Sequence, residues 1–245
     1  MKIFLIFLML GIFHSVYAQI SFPLESTDEE IMAYLLNGKW NDKKQCLWKP
    51  TNFEDIVFNG ADSSTSFLTE KFTYLKGKSQ YKLLVMRTCI SALPCDDYDV
   101  SIMGMIELEI EEDKQTVVRF RKFIDYIGDL NSPASVIKFL KISEDDFFIQ
   151  VESYFSKHGF SYLTTYLYYD GKYALSFTSS EDNFFYTNIS SEQYDYQTEI
   201  SVDKGILYLH KKGTVWNNWK ERKIIKVDEK RAYKFKNGRL ERLCE

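Results

Sequence analysis

Short apolar runs separated by polar turns fill most of the chain beyond its N-terminal region. The runs are rich in Tyr, Phe, Val and Ile, and their spacing is typical of antiparallel β-hairpins. Asp170-Gly171 and Asn237-Gly238 suit the positive φ angles of two-residue hairpin turns, and Lys76-Gly77-Lys78-Ser79 predicts a third turn. The pattern predicts an all-β fold, a mostly antiparallel meander that forms a barrel or a sandwich.

One short α-helix is predicted ahead of the strands. The segment Ser26-Thr27-Asp28-Glu29-Glu30 contains two overlapping capping boxes, a signal for a helix N-terminus. Ile31, Tyr34 and Leu35 then fall on one helical face, and Gly38 supplies the C-terminal stop. The sequence therefore predicts an amphipathic helix of about three turns.

A further hairpin is predicted from two segments with complementary patterns. Gly104–Glu111 alternates apolar and acidic residues, and Thr116–Phe123 returns after the acidic turn Glu112-Asp113-Lys114. A three-residue loop would place Glu107 opposite Arg119. It would also place Ile106, Leu108 and Ile110 opposite Phe120, Val118 and Thr116, respectively. We expect the apolar set to cover one face and the salt-bridged set to form the outer face.

The N-terminus has the pattern of a secretory signal peptide. Met1-Lys2 precedes the apolar run Ile3–Phe13, and Val16-Tyr17-Ala18 offers small or compact residues for cleavage after Ala18. No other stretch approaches the roughly 20 apolar residues of a membrane-spanning helix. We therefore expect residues 1–18 to be removed and 19–245 to form a single all-β domain, secreted or periplasmic. A possible internal boundary lies at 128–133.

The four cysteines predict disulfides in such a compartment, because their number is even and none forms a C-x-x-C pair. Of the three possible connectivities we favour Cys89–Cys95 together with Cys46–Cys244. The alternative is four free thiols in a reducing compartment.

Several chemistries lack their sequence signals. The formal net charge of −4 gives no electrostatic reason to expect a nucleic-acid partner. The chain has no Gly-x-Ser-x-Gly, phosphate-binding or dinucleotide-binding motif, and export would leave only His158 and His210 as histidines. Asp96, Asp97 and Asp99 lack the glycine and distal glutamate of an EF-hand loop, so we interpret them as a solvated acidic loop. We predict no metal and no cofactor.

Glu107 and Glu109 have the spacing that a glycosidase could use for its acid and base. Arg119 and Arg121 on the neighbouring predicted strand favour the ionised carboxylates, whereas a general acid must carry a proton. We therefore favour sheet salt bridges over catalysis. A secreted glycan-directed hydrolase, with acids drawn from separate strands, remains the alternative.

Aromatic residues make up 16% of the chain, in runs such as Tyr166-Leu167-Tyr168-Tyr169. Strand alternation sends about half of such rings into a core, and the others need a second surface or a loop. Trp216 and Trp219 lie in a stretch interpreted as a loop and form the candidate ligand-binding patch, although both indoles could instead cover the end of the core. The sequence thus predicts a non-catalytic protein that binds a small apolar molecule, a glycan or a protein. A structural role in the cell envelope is a further alternative.

Gly38-Lys39-Trp40, after a short helix and before a series of hairpins, resembles the Gly-x-Trp opening of lipocalin-like proteins. The resemblance implies an eight-stranded barrel whose mouth receives a small apolar ligand. It also implies that Gly38 and Trp40 are structural, with Trp40 closing the base of the barrel.

Overall fold

The computed structural model describes residues 20–41, 43–50, 63–89, 101–127, 136–157, 160–182, 192–217 and 223–243. These ranges contain one helix and fifteen strands, and their paired strands are antiparallel. The predicted all-β class with one short helix is confirmed. The predicted signal peptide and the boundary at 128–133 lie outside the described residues.

The strands form two sheets. The first sheet has seven strands in the order β1-β7-β6-β5-β4-β3-β2, and the second is an eight-stranded meander from β8 to β15. The strands of the first sheet are β1 (Ser21–Pro23), β2 (Lys39–Trp40), β3 (Cys46–Trp48), β4 (Ser64–Lys76), β5 (Ser79–Cys89), β6 (Ser101–Ile110) and β7 (Lys114–Ile127). Those of the second are β8 (Val136–Lys141), β9 (Phe147–Lys157), β10 (Phe160–Tyr169), β11 (Lys172–Asp182), β12 (Glu192–Asp203), β13 (Ile206–Asn217), β14 (Lys223–Lys236) and β15 (Arg239–Arg242).

The predicted hairpin turns are confirmed. Asp170-Gly171 joins β10 to β11 with φ angles of 55° and 67°, and Asn237-Gly238 joins β14 to β15 with φ angles of 51° and 77°. Gly77, with φ of 58°, lies in the turn between β4 and β5. Lys204-Gly205 forms a further two-residue turn with two positive φ angles, 50° and 76°. The sequence did not predict it, because lysine is not a residue that favours positive φ.

The helix α1 spans Asp28–Leu36. Thr27 caps its N-terminus in a capping box with Glu30, so the second of the two predicted boxes forms. Asn37, rather than Gly38, adopts the left-handed conformation that ends the helix. The buried apolar face contains Ile31, Met32 and Leu36, whereas Tyr34, predicted on that face, is exposed. Met32 lies next to Ile31 and is also apolar, so the pattern alone was compatible with two rotations of the helix.

The first sheet is strongly curled. Lys122 of β7 lies with its Nζ 5.0 Å from the centre of the Trp48 ring on β3, although these strands are four positions apart. In a flat sheet that separation would be about 19 Å. The concave side is filled by a core in which α1 packs against residues of β3, β5 and β6, including Trp48, Leu84 and Ile106.

The second sheet also bends back on itself. Phe148 of β9 and Phe235 of β14 have ring centres 5.4 Å apart, although five strand positions separate them. A flat sheet would hold them about 24 Å apart. The core inside this bend combines Phe148, Leu167 and Leu207 with partly buried apolar residues of the later strands.

A third core lies between the sheets. Leu83, Val85, Met103 and Met105 of the first sheet pack against Ile137, Ile149, Val151 and Tyr168 of the second. Both faces of β5 and β6 are therefore buried, from 83 to 89 and from 101 to 108. The two strands form a wall that separates the concave core from the core between the sheets.

The hairpin of β6 and β7 differs from its prediction in two ways. Glu107 pairs with Arg119 and Ile106 with Phe120 as expected, but Val118 is the extra residue of a bulge and Leu108 pairs with Val117. Glu107 is not on an outer face, because the second sheet covers it and leaves it buried. The sequence pattern correctly separated an apolar from a charged face, but both faces are covered in the fold.

The cysteines were predicted to form two disulfides. Cys46 is a free, buried thiol in the concave core, so the predicted Cys46–Cys244 disulfide is not present in the structure. Its strand belongs to the first sheet, whereas Cys244, outside the described residues, follows the last strand of the second sheet. Cys89 is buried at the end of β5, and Cys95 lies outside the described residues, so Cys89–Cys95 stays a prediction.

Candidate functional site

Of the two tryptophans in the predicted binding patch, only Trp216 belongs to the residues that the structure describes. Trp216 lies near the end of β13, where its backbone pairs with Gln193 on β12 and Ile224 on β14. Trp219 lies outside the described residues. A ligand-binding role for Trp216 and Trp219 stays a prediction.

The residues of the Gly-x-Trp motif lie at the entrance to the first sheet. A methyl group on Gly38 would lie 2.6 Å from Cys46 Sγ and 2.7 Å from the carbonyl oxygen of Leu47, so the backbone passes too close for a side chain. Trp40 is half-buried and packs against the concave core. Trp48 is the more deeply buried indole, and its Nε1 donates to Ser66 Oγ at 2.8 Å.

The histidines and the acidic residues that the sequence analysis considered for a metal site do not form one in the described part of the fold. His158, Asp96, Asp97 and Asp99 fall outside it. His210 lies on β13, with its Nε2 2.5 Å from Asp228 Oδ1. In the described ranges, no three His, Cys, Asp or Glu side chains gather into a group that could hold a metal ion.

Glu107 belongs to a polar network between the sheets. The Tyr74 hydroxyl donates to its carboxylate, and Arg119 Nη1 lies 3.4 Å from Glu107 Oε2. The same guanidinium contacts Asp170 in the turn between β10 and β11. Burial, followed by the hydrogen bond to Glu107, raises the pKa of Tyr74. The network links the two sheets, and its carboxylate has a cationic partner.

A polar groove lies beside α1, and the charged and polar side chains that line it bond to one another. Lys82 Nζ lies 2.5 Å from Asp28 Oδ1 and 2.5 Å from Gln115 Oε1, and Lys71 Nζ lies 2.7 Å from Asp28 Oδ2. Gln115 Nε2 donates to backbone carbonyls of the segment that leads into the helix, including that of Leu24. These contacts fasten the start of α1 to β4, β5 and β7.

Four tyrosines on β10 and β11 form a different kind of surface, which we call the tyrosine face: Tyr162, Tyr166, Tyr168 and Tyr173. The first three alternate along β10 and so point to one side of the sheet. Tyr173 joins them because its strand pairs it with Tyr168 across the hairpin.

The tyrosine face runs from the core between the sheets out to solvent. Tyr168 is buried in that core, Tyr166 is half-buried, and Tyr162 and Tyr173 are 37% and 58% exposed. The Tyr168 hydroxyl donates to Asp125 Oδ2 of β7 at 2.8 Å. Burial is the main cause that raises the pKa of Tyr166, and the charges of Tyr162, Asp125 and Tyr173 add to it. Asp125 thus interacts with the two inner phenols, Tyr168 and Tyr166, and the two outer phenols lie near these.

Hydroxyl-bearing side chains lie between these rings. Thr164 is paired with Ser153 on β9 and with Thr178 on β11, and Tyr166 is paired with Ser176. The Tyr173 hydroxyl and Ser176 Oγ are 2.9 Å apart. This side of the sheet therefore combines aromatic rings with short hydrogen-bonding groups, while β10 places Leu167 on the opposite side in the core of the second sheet.

The sequence analysis did not single out the tyrosine face, because it assigned about half of the strand rings to a core and chose Trp216 and Trp219 as the binding patch. Two sequence signals could have found it. Alternation separates Tyr166 and Tyr168 from Leu167, and the two-residue turn at Asp170-Gly171 brings Tyr173 beside Tyr168. What alternation could not show is that the first sheet covers only part of this side.

No protein-family model, curated protein or solved structure matches the chain. In the described part of the chain, no helix has the length and apolarity needed to cross a membrane.

Proposed function

We propose that the chain is an exported, non-catalytic β-protein that binds a glycan on the tyrosine face. The observation that supports this is the position of four tyrosines, Tyr162, Tyr166, Tyr168 and Tyr173, on one side of the second sheet, with two of the rings substantially exposed. Export is part of the proposal and rests on the signal-peptide pattern of residues 1–18.

The chemistry of this surface suits a sugar. The C–H face of a pyranose ring packs on an aromatic ring, and its hydroxyls need donors and acceptors nearby. Tyr162 and Tyr173 offer exposed ring faces, while Ser176 and Thr164 supply hydroxyls on the same side of the sheet. From 162 to 168 the strand extends about 20 Å, so a chain of several sugars would fit better than a single one.

A small apolar ligand is less well supported by the described residues. The concave sides of both sheets, where such a ligand would be enclosed, contain the packed side chains of their own cores. A hydrolase is also less well supported, because the buried carboxylate of Glu107 is held by Arg119 and Tyr74. A general acid would need a protonated carboxyl group beside the substrate.

Binding to a panel of soluble and immobilised polysaccharides tests the proposal. We expect Tyr162→Ala and Tyr173→Ala each to weaken binding about tenfold, the loss for removing one stacking ring. Tyr208→Ala is the matched control, because Tyr208 is 38% exposed, as Tyr162 is at 37%, but lies on β13. We expect it to leave binding unchanged.

Thermal unfolding of the same variants separates a binding effect from a folding defect. The proposal is overturned if no polysaccharide binds, or if the Tyr208→Ala variant loses as much affinity as the two variants of the tyrosine face. Capture of a protein that competes for Tyr162 and Tyr173 would assign the surface to a protein partner instead.

A further inference from the structure

A long stretch of β14 has an uncovered edge. On one side β14 pairs with β13 from Lys223 to Lys234. On the other side β15 pairs only with Tyr233–Lys236, and one more hydrogen bond runs from Leu243 N to Ala232 O. Among the strands that the structure describes, none pairs with the remaining edge, from 223 to 231. Its backbone N–H and C=O groups form a template for another strand.

The alternation of backbone groups along β14 shows which residues direct their N–H and C=O to the uncovered edge. The carbonyl of Ala232 points to the β15 side, because it accepts from Leu243. Backbone groups of successive strand residues point alternately to the two edges. Ile224, Lys226, Asp228 and Lys230 therefore present their N–H and C=O to the uncovered edge. In agreement, the N–H of Phe235, an odd-numbered residue, donates towards β13, to Gly205 O.

The side chains of this stretch are also uncovered. Ile224 and Ile225 are 65% and 48% exposed, although neighbouring residues of a strand point to opposite faces. Two large apolar side chains thus face solvent on both sides of a ribbon that has a free edge. Such an edge is suited to pairing with another chain.

We propose that the occupant is a second copy of this chain, paired antiparallel with the first along this edge about a two-fold axis at Val227. Antiparallel pairing must bring edge-facing residues opposite edge-facing residues, which limits the possible centres. A centre at Val227 sets Lys226 opposite Asp228 of the partner subunit, and symmetry repeats this attractive pair. Asp228 also contacts His210 of its own chain through Oδ1, but 71% of its side chain is exposed and can be reached by the lysine.

The neighbouring centres are disfavoured by charge. A centre at Lys226 sets that lysine opposite its own copy, and a centre at Asp228 does the same for the aspartate. A centre at Glu229 would set two glutamates opposite each other. It would also require the backbone groups of Ala232 to pair with the partner subunit, although the Ala232 carbonyl already accepts from Leu243 N. Like charges directly opposite each other destabilise a strand pair, so charge favours Val227 over these three centres. In the register centred at Val227, the one like-charge combination is Lys223 opposite Arg231 of the partner subunit, at the ends of the paired stretch.

Charge exchange tests both the dimer and its register. We expect sedimentation of the full chain to show a dimer in the micromolar range. Lys226→Asp alone and Asp228→Lys alone each create two like-charge pairs, and each should weaken the dimer about tenfold or more. The double variant restores opposite charges in this register and should recover the original dimer affinity to within a few-fold.

Cysteine cross-linking provides the second measurement. An odd-numbered residue on the axis forms a non-hydrogen-bonded pair with its own copy, at a Cα separation of about 4.5 Å, which a disulfide can bridge. Val227→Cys should therefore give an oxidised dimer on a non-reducing gel. Ile225→Cys is the control, because its two copies would lie about 14 Å apart and should not cross-link.

The outcomes are distinct. A protein that sediments as a monomer throughout the micromolar range overturns the proposal. So does a dimer that the single charge variants leave intact, or one that the double variant fails to restore while its thermal unfolding is unchanged. Cross-linking of Ile225→Cys with none of Val227→Cys would contradict the two-fold axis at Val227.

Discussion

Replacing Asp28 by asparagine should strongly destabilise the protein, although the change is nearly isosteric. Asp28 joins the first turn of α1 to two lysines at 2.5 and 2.7 Å. Only 14% of the Lys82 side chain is exposed, whereas Lys71 is 59% exposed. Removing the carboxylate charge therefore leaves one largely buried ammonium group with Gln115 Oε1 as its remaining partner.

The magnitude follows from the two lysines separately. Removing one partner of a fully buried ion pair costs about 3–5 kcal/mol, and an exposed pair contributes about 0–1 kcal/mol. The hydrogen bond from Lys82 to Gln115 and the residual exposure of Lys82 reduce the first figure. We expect Asp28→Asn to lower the free energy of unfolding by about 2–3 kcal/mol at neutral pH.

The effect has a defined pH dependence. Burial alone would raise the pKa of Asp28, but hydrogen bonds and charge interactions with Lys71 and Lys82 outweigh it and hold the pKa below its ordinary value of 3.8. A group with a depressed pKa stabilises the fold above its unfolded pKa and loses that contribution as the pH falls through its folded pKa. The stability difference between the two proteins should be constant from about pH 5 to 7 and shrink below about pH 4.

Urea unfolding followed by tryptophan fluorescence, repeated from neutral to acidic pH, measures this difference. Glu29→Gln is the control, because Glu29 is an exposed acid in the same helical turn and shares the favourable interaction with the helix dipole. We expect it to cost no more than about 1 kcal/mol. An Asp28→Asn variant as stable as the Glu29→Gln variant, or a difference that persists unchanged at pH 3, would refute the reasoning.

Two further predictions concern the cysteines and the tryptophan patch. Because burial raises the pKa of Cys46 to about 11, we expect this thiol to resist alkylation in the native protein and to react once the chain is unfolded, while peptide mapping shows a Cys89–Cys95 disulfide. Rapid labelling of native Cys46, or of free Cys89 and Cys95, would contradict this. If Trp216 and Trp219 bind a ligand, changing both to Ala should leave the Tm nearly unchanged and reduce ligand retention. A loss of several kcal/mol of stability would instead assign them to the core.

Local signals in the sequence were sufficient where a few neighbouring residues determine the structure. The capping box of Thr27 and Glu30 and the turns at Asp170-Gly171 and Asn237-Gly238 form as predicted. In each case the hydrogen bonds and φ angles involve residues only a few positions apart. The pairing of Glu107 with Arg119 could be predicted for the same reason, because one short turn joins their strands.

Features that depend on the second sheet could not be predicted in this way. Nothing near Glu107 in sequence indicates that β9 and β10 will cover its side of the first sheet. The same contact determines which part of the tyrosine face stays exposed, so Tyr162 and Tyr173 could be placed on one side of a strand but not at a surface. The bulge at Val118 likewise changed the register after Glu107, and the alternating pattern did not reveal it.

The burial of β5 and β6 on both faces has a consequence for cooperativity. Two of the three cores use these strands as a wall, and opening the contact between the sheets exposes Leu83 and Met105 on one side and Ile149 on the other. After such an opening the first sheet keeps its concave core with α1, and the second sheet keeps the core inside its bend. The amide hydrogens at the centre of β5 and β6 stay bonded to neighbouring strands of the first sheet in that state, so they exchange with solvent only when the first sheet itself unfolds. Their protection against exchange therefore measures the stability of the first sheet, whether or not the second sheet is in contact with it.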